Sequence, residues 1–131
     1  MIVTGAFLAD RAASVERKLH VWGGVLDRCE VGLDRIARFV LVVLTQTEAS
    51  DRRQGGRLPK AKVDVEIIPP AGDSQTMHLD IPEAAFGGEN GFATFYLGIR
   101  APTDGRYVLL VTVGAHNISL PLMVYASSQA Y

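Results

Sequence analysis

Cysteine is almost absent. The single Cys29 in 131 residues cannot form an internal disulfide, and a chain without one fits a reducing compartment. We therefore expect a cytoplasmic protein. No apolar run approaches the roughly 18 residues of a membrane-spanning helix; the longest unbroken aliphatic–aromatic run is Phe39–Leu44. The apolar stretch Ile2–Ala9 has no basic residue ahead of it and is closed by Asp10 and Arg11, which does not fit a secretory signal, so we expect no membrane association. The match of Asn117-Ile118-Ser119 to a glycosylation sequon then has no secretory context to act in. With 13 glycines and 6 prolines the chain is not collagen-like, and 48% apolar residues at a net charge of -1 are not those of a disordered chain. There is no Gly-x-Gly-x-x-Gly, no lysine after a phosphate-binding glycine loop and no Gly-x-Ser-x-Gly elbow. These absences leave no nucleotide cradle and no serine nucleophile, and we expect no cofactor.

What is present is a pattern of strands. Short runs rich in Val, Ile, Leu, Phe and Tyr are separated by Gly, Pro, Asp and Asn. Strands are expected near Val3–Ala9, Lys18–Leu26, Ile36–Gln46, Lys62–Ile68, Gln75–Ile81, Phe92–Arg100, Arg106–Gly114 and Ile118–Tyr125. Eight strands with turn signals between them predict an all-β fold, a single-domain antiparallel sandwich spanning 1–131. A chain of this length buries roughly two-thirds of its unfolded surface and needs no disulfide or metal to hold a core. Val31–Thr47 is ambiguous. Leu33, Ile36, Phe39, Val40 and Val43 recur at helical spacing, yet Phe39–Thr45 is continuous and β-branched, as in a strand covered on both faces. We expect a strand from about Ile36, with or without a helical turn before it. Pro121 cannot donate to a sheet ladder, so the last strand is expected at an edge or with a bulge.

Charge is unevenly spread. Residues 1–62 hold 11 basic and 7 acidic side chains, and residues 63–131 hold 2 basic and 7 acidic. A domain that is not basic overall is a poor nucleic-acid binder, and we expect no nucleic-acid partner. The asymmetry suits electrostatics between proteins, which acts on association rate and specificity. Its densest part is the polar segment 49–61, read as an exposed loop, where Arg52, Arg53, Arg57 and Lys60 could meet an acidic partner. The tail 126–131 carries no charged side chain and is expected to fray or to add to a neighbouring sheet edge.

The block Ala6-Phe7-Leu8-Ala9-Asp10-Arg11-Ala12, followed by Lys18-Leu19-His20-Val21-Trp22-Gly23-Gly24, resembles an uncharacterised bacterial family of small β-sandwich proteins. Such chains start with a short strand ending in Asp, continue through a Gly-Lys-Leu turn and strand to a Gly pair, and finish with a Gly-x-Tyr strand and hairpin, similar to Gly105–Val124. Arg17 stands where that family often has Gly. The resemblance implies the fold and leaves the function open.

Residues with chemical capability are scattered. His20, His78 and His116 match no ligand spacing, and zinc needs three or four converging ligands; the reading is no metal. The acids Asp73, Asp80, Glu83, Glu89 and Asp104 sit in no calcium-loop pattern. Cys29 has no partner base beside it, and no catalytic residue is assigned. Gly23 and Gly24 mark a bulge or a close backbone approach. The sequence therefore predicts a non-enzymatic interaction or assembly module that associates through a sheet edge or face, as a homo-oligomer or docked on a protein partner. The favoured contacts are Leu120, Leu122 and Tyr125 on the last strand and the basic loop. The alternative is a small-molecule or carbohydrate site between loops at one end of the sandwich, using Trp22, Phe92, Tyr96 and His116. A metal-dependent hydrolase built on the histidines ranks last.

Overall fold

The computed structural model describes residues 2–47, 61–82, 85 and 88–126. Arg52, Arg53, Arg57 and Lys60 of the basic segment, and residues 127–131 of the tail, lie outside the described residues. Ten strands run through the rest: β1 (Ile2–Ala9), β2 (Arg11–Val15), β3 (Lys18–Trp22), β4 (Arg28–Val31), β5 (Ile36–Gln46), β6 (Lys62–Ile68), β7 (Gln75–Asp80), β8 (Asn90–Arg100), β9 (Gly105–Val113) and β10 (His116–Ala126). No α-helix occurs among the described residues.

The strands form three layers. A three-stranded sheet, β1-β5-β8, faces a five-stranded sheet, β4-β10-β9-β6-β7, and the β2-β3 hairpin forms a third small sheet. Leu41, Val43, Leu97 and Ile99 from the first sheet meet Val65, Tyr107, Leu109, Leu122 and Val124 from the second in the main core. Ala12 of the hairpin, with Phe7, Leu19, Val21 and Leu44, packs on Val40 and Val42 over the opposite face of β5. That is why β5 is apolar without alternation: successive residues point into two different cores.

Two strands go beyond the expected eight, and one departs from antiparallel pairing. β2 is short and polar, and its turn to β3 has Glu16 and Arg17 at φ 52° and 64°. A two-residue turn with both φ positive usually carries Asn or Gly, so the hairpin lacks its usual signal. β4 has only four residues and pairs parallel with the end of β10, Cys29 opposite Val124. The expected strand at 18–26 stops at Trp22. Gly23 follows at φ 66°, and a Cβ there would lie 1.9 Å from the Asp10 carboxylate, the close approach the glycine pair predicts. Before β5 there is a tight turn, closed by the Arg35 N–H donating to the Gly32 carbonyl (3.1 Å), rather than a helical turn. Leu33 is fully exposed in it and packs on nothing.

Tyr107 fixes the start of β9. Its ring is buried, and its hydroxyl donates to the Thr103 carbonyl at 2.8 Å, tying the Pro102–Asp104 turn to the core in the manner of the tyrosine corner of sandwich domains. Arg35 holds the same turn from outside. Its Nε donates to the Ala101 carbonyl at 2.9 Å, and the guanidinium pairs with Asp104 at 2.8 Å.

Candidate functional site

The last strand is where sequence and structure diverge most usefully. Leu122 is 0% exposed and Leu120 packs against the same core. Leu122 has no surface left to present to a partner, which corrects that expectation, while Leu120 is half-buried. Alternation sends the intervening residues outward: Pro121, Met123 and Tyr125 are all exposed. β10 is also not simply an edge strand. It lies between β9 and β4, but β4 covers only Met123–Ala126. The Met123 N–H donates to Asp27 on that side, and a strand's backbone groups alternate in direction with period two. Pro121 therefore turns its nitrogen to the uncovered half of the edge and costs the β9 ladder nothing.

The pairing register extends this outward face across the sheet. Ile68 of β6 stands opposite Val108 of β9, which stands opposite Pro121 of β10. Leu110 lies two residues along β9 from Val108, and Met123 lies two along β10 from Pro121. Ile68, Met123 and Tyr125 are 39%, 39% and 38% exposed, and Val108 and Leu110 are half-buried. A solvated sheet face alternates to polar side chains, whereas this one carries a continuous apolar patch over three strands.

Charge rims the patch with opposite sign at opposite ends. Arg106 pairs in register with Met123, and Arg28 flanks it on β4; the Arg28 guanidinium lies 5.7 Å from the Tyr125 ring centre, within cation–π range. Glu30 shares that corner, opposite Tyr125. Diagonally across, Glu66 and Asp64 line β6 opposite Leu110 and Thr112. Asp64 also meets His78 at 2.6 Å.

The other predicted site residues do not converge. Phe92 lines a groove of about 590 Å³ with Ser14, Arg17, Asn90 and Thr94, under the tip of the hairpin. Tyr96 borders a separate hollow of about 290 Å³ with Asp10 and Arg38. Its hydroxyl is already used, donating to the Ala12 carbonyl at 2.5 Å. Trp22 lies at the far end of the hairpin beneath Arg11, 4.7 Å from ring centre to guanidinium, and His116 opens β10 at the hairpin turn. The four thus do not line one cavity. The histidines occupy β3, β7 and β10, and no group of three or more metal-ligating side chains gathers among the described residues. Cys29 is buried between the sheets, its thiol pushed up chiefly by that burial. No helix among the described residues is long and apolar enough to cross a membrane.

Sequence reasoning missed Ile68, Val108, Leu110 and Met123. The signal that could have found them is apolar character at consecutive positions of β6, β9 and β10, in Ile67–Ile68, Tyr107–Val111 and Leu120–Tyr125, where a half-solvated strand would alternate.

No protein-family model matches the chain, and no curated protein matches it. Among solved structures the chain is similar to the CARDB domain of a Pyrococcus furiosus protein, crystallised in complex with di-metal ions, at 15% identity and a TM-score of 0.43, covering 92% of this chain and 88% of that one.

Proposed function

We propose that this chain is a non-enzymatic assembly module whose copies associate by stacking the outer faces of their five-stranded sheets. The observation that carries this reading is the apolar patch of Ile68, Val108, Leu110, Pro121, Met123 and Tyr125 on a face that would otherwise be polar. The occupant is a second copy, because the rim is self-complementary. A two-fold stack can set the Arg28–Arg106 corner of one protomer over the Asp64–Glu66 margin of the other, and an isologous interface uses the same patch on both. Removing apolar area from water drives the contact, and the rim charges set its register. The basic segment, with Arg52, Arg53, Arg57 and Lys60, would add attraction for an acidic partner surface.

One observation favours a second reading, small-molecule binding: the groove that joins Phe92 to Arg17 offers an apolar wall and a cation to a small carboxylate.

Sedimentation equilibrium of the wild type and of an Ile68→Lys/Met123→Lys double variant tests the assembly reading. We expect a wild-type mass of at least twice the chain mass, and half the wild-type mass for the variant. A wild type that stays monomeric at every concentration, or a variant of unchanged mass, would sink it.

A further inference from the structure

β8 is the other edge that matters. It is one of the three longest strands, 11 residues, and it closes the three-stranded sheet with no strand among the described residues on its far side. Its backbone directions can be read from the hydrogen bonds just beyond its ends. The Thr47 N–H donates to the Glu89 carbonyl, and the Ala101 N–H donates to the Arg35 carbonyl. The register runs without a shift from Ile36↔Arg100 to Gln46↔Asn90. Odd-numbered residues of β8 therefore bond to β5, and even-numbered ones aim N–H and C=O away from it. Among the described residues, Asn90, Phe92, Thr94, Tyr96, Gly98 and Arg100 form an open ladder.

Open ladders are usually blunted by charge, proline, bulges or brevity. The other edges show these devices. β10 has Pro121 on its uncovered half, β1 has a register shift between Val3 and Gly5, β4 has four residues, and β7 is short and carries His78 and Asp80. β8 has none of them: from Gly91 to Ile99 there is no charge, no proline and no bulge.

We infer that this edge pairs antiparallel with β8 of a second copy, around a two-fold axis at Phe95, making one sheet that runs β1-β5-β8 and back through the partner's β8-β5-β1. The register follows from the residues. Centring on Phe95 sets Asn90 opposite Arg100, Phe92 opposite Gly98 and Thr94 opposite Tyr96, so every open-ladder residue has a partner. Moving the centre to Thr94 or Tyr96 leaves Arg100 or Asn90 unpaired. In the chosen register no like charges meet, and each Phe92 ring lies over the bare backbone of Gly98, the aromatic–glycine arrangement that stabilises sheet edges. This contact is independent of the stacked faces, being made by the other sheet. A chain that uses both surfaces builds assemblies larger than a dimer.

Proline at an open-ladder position tests the inference, because it removes a donor from the free edge and none from the β5 ladder. Sedimentation equilibrium is run on the wild type, Thr94→Pro and Thr94→Lys, with thermal melts alongside. Thr94→Lys puts an edge charge at the pairing centre and decides the matter if the proline variant does not fold. Ala93→Pro, which does break the β5 ladder, should melt far lower than either. We expect each Thr94 variant to fall below the wild-type mass, to no more than the dimer that the stacked faces hold. Equal masses for the wild type and the folded Thr94 variants overturn the inference whatever the Ile68→Lys/Met123→Lys variant does. If that variant keeps the wild-type mass while Thr94→Pro halves it, the stacked-face reading fails and the edge pairing stands.

Discussion

Leu122→Ala separates core from surface on the last strand. The side chain is 0% exposed and stands in register with Tyr107, itself in the core. Truncation removes apolar groups worth about 0.8 kcal/mol per buried CH₂ and leaves a cavity between two sheets. The β9 ladder at Leu122 and the β4 ladder that starts at Met123 resist collapse, so the loss belongs to the usual range of about 2–5 kcal/mol. Against a typical total stability of about 5–15 kcal/mol this is a large fraction, and it corresponds to a fall in Tm on the order of 10 °C. Circular dichroism melts and urea titrations read it directly. The same preparation is then weighed by light scattering, where the particle mass should equal that of the wild type. A loss below about 1 kcal/mol, or a lowered mass with unchanged stability, would refute the placement of Leu122 and restore it as a partner contact.

Tyr107→Phe keeps the ring and deletes the donor to the Thr103 carbonyl. It should cost about 1–2 kcal/mol, seen as a lower urea midpoint at unchanged m-value; an unchanged midpoint would mean the corner contributes nothing. The Asp104 carboxyl is held below the ordinary carboxylate range, first by the hydrogen bond from Arg35. Asp34 is lowered likewise, first by Arg38. A lowered folded value means the unfolded chain binds more protons in acid. The stabilisation is thus complete above the unfolded value and disappears as pH falls through the folded one. Asp104→Asn should therefore melt below the wild type at neutral pH, with the gap closing in acid; a gap independent of pH would contradict the pairing. Both carboxylates are solvent-exposed, so the effect is small.

The legible parts of the fold were those whose physics is local. Val63, Val65 and Ile67 alternate inward in β6 as their spacing predicts, and the continuous run of β5 is apolar because two cores claim it. The illegible parts depend on partners distant in the chain. β2 is polar and its turn uses Glu16 and Arg17 instead of Asn and Gly, while β4 exists only because the end of β10 supplies its ladder. The candidate site was half legible for the same reason. Both faces of β10 are apolar, so alternation shows that Leu120 and Leu122 share a face without showing which face is inward. The patch itself joins Ile68, Val108 and Pro121, which become neighbours only through the pairing register.

Hydroxyl-radical footprinting of the wild type over a dilution series tests the stacked-face assembly most directly. Met123 and Tyr125 are reactive, exposed side chains within the patch, and Trp22, 46% exposed on the hairpin layer, is the internal reference. The account predicts that Met123 and Tyr125 gain protection as concentration rises and the particle grows, while Trp22 reacts at a constant rate. Assembly with Met123 and Tyr125 as reactive in the large particle as in the small one would contradict it.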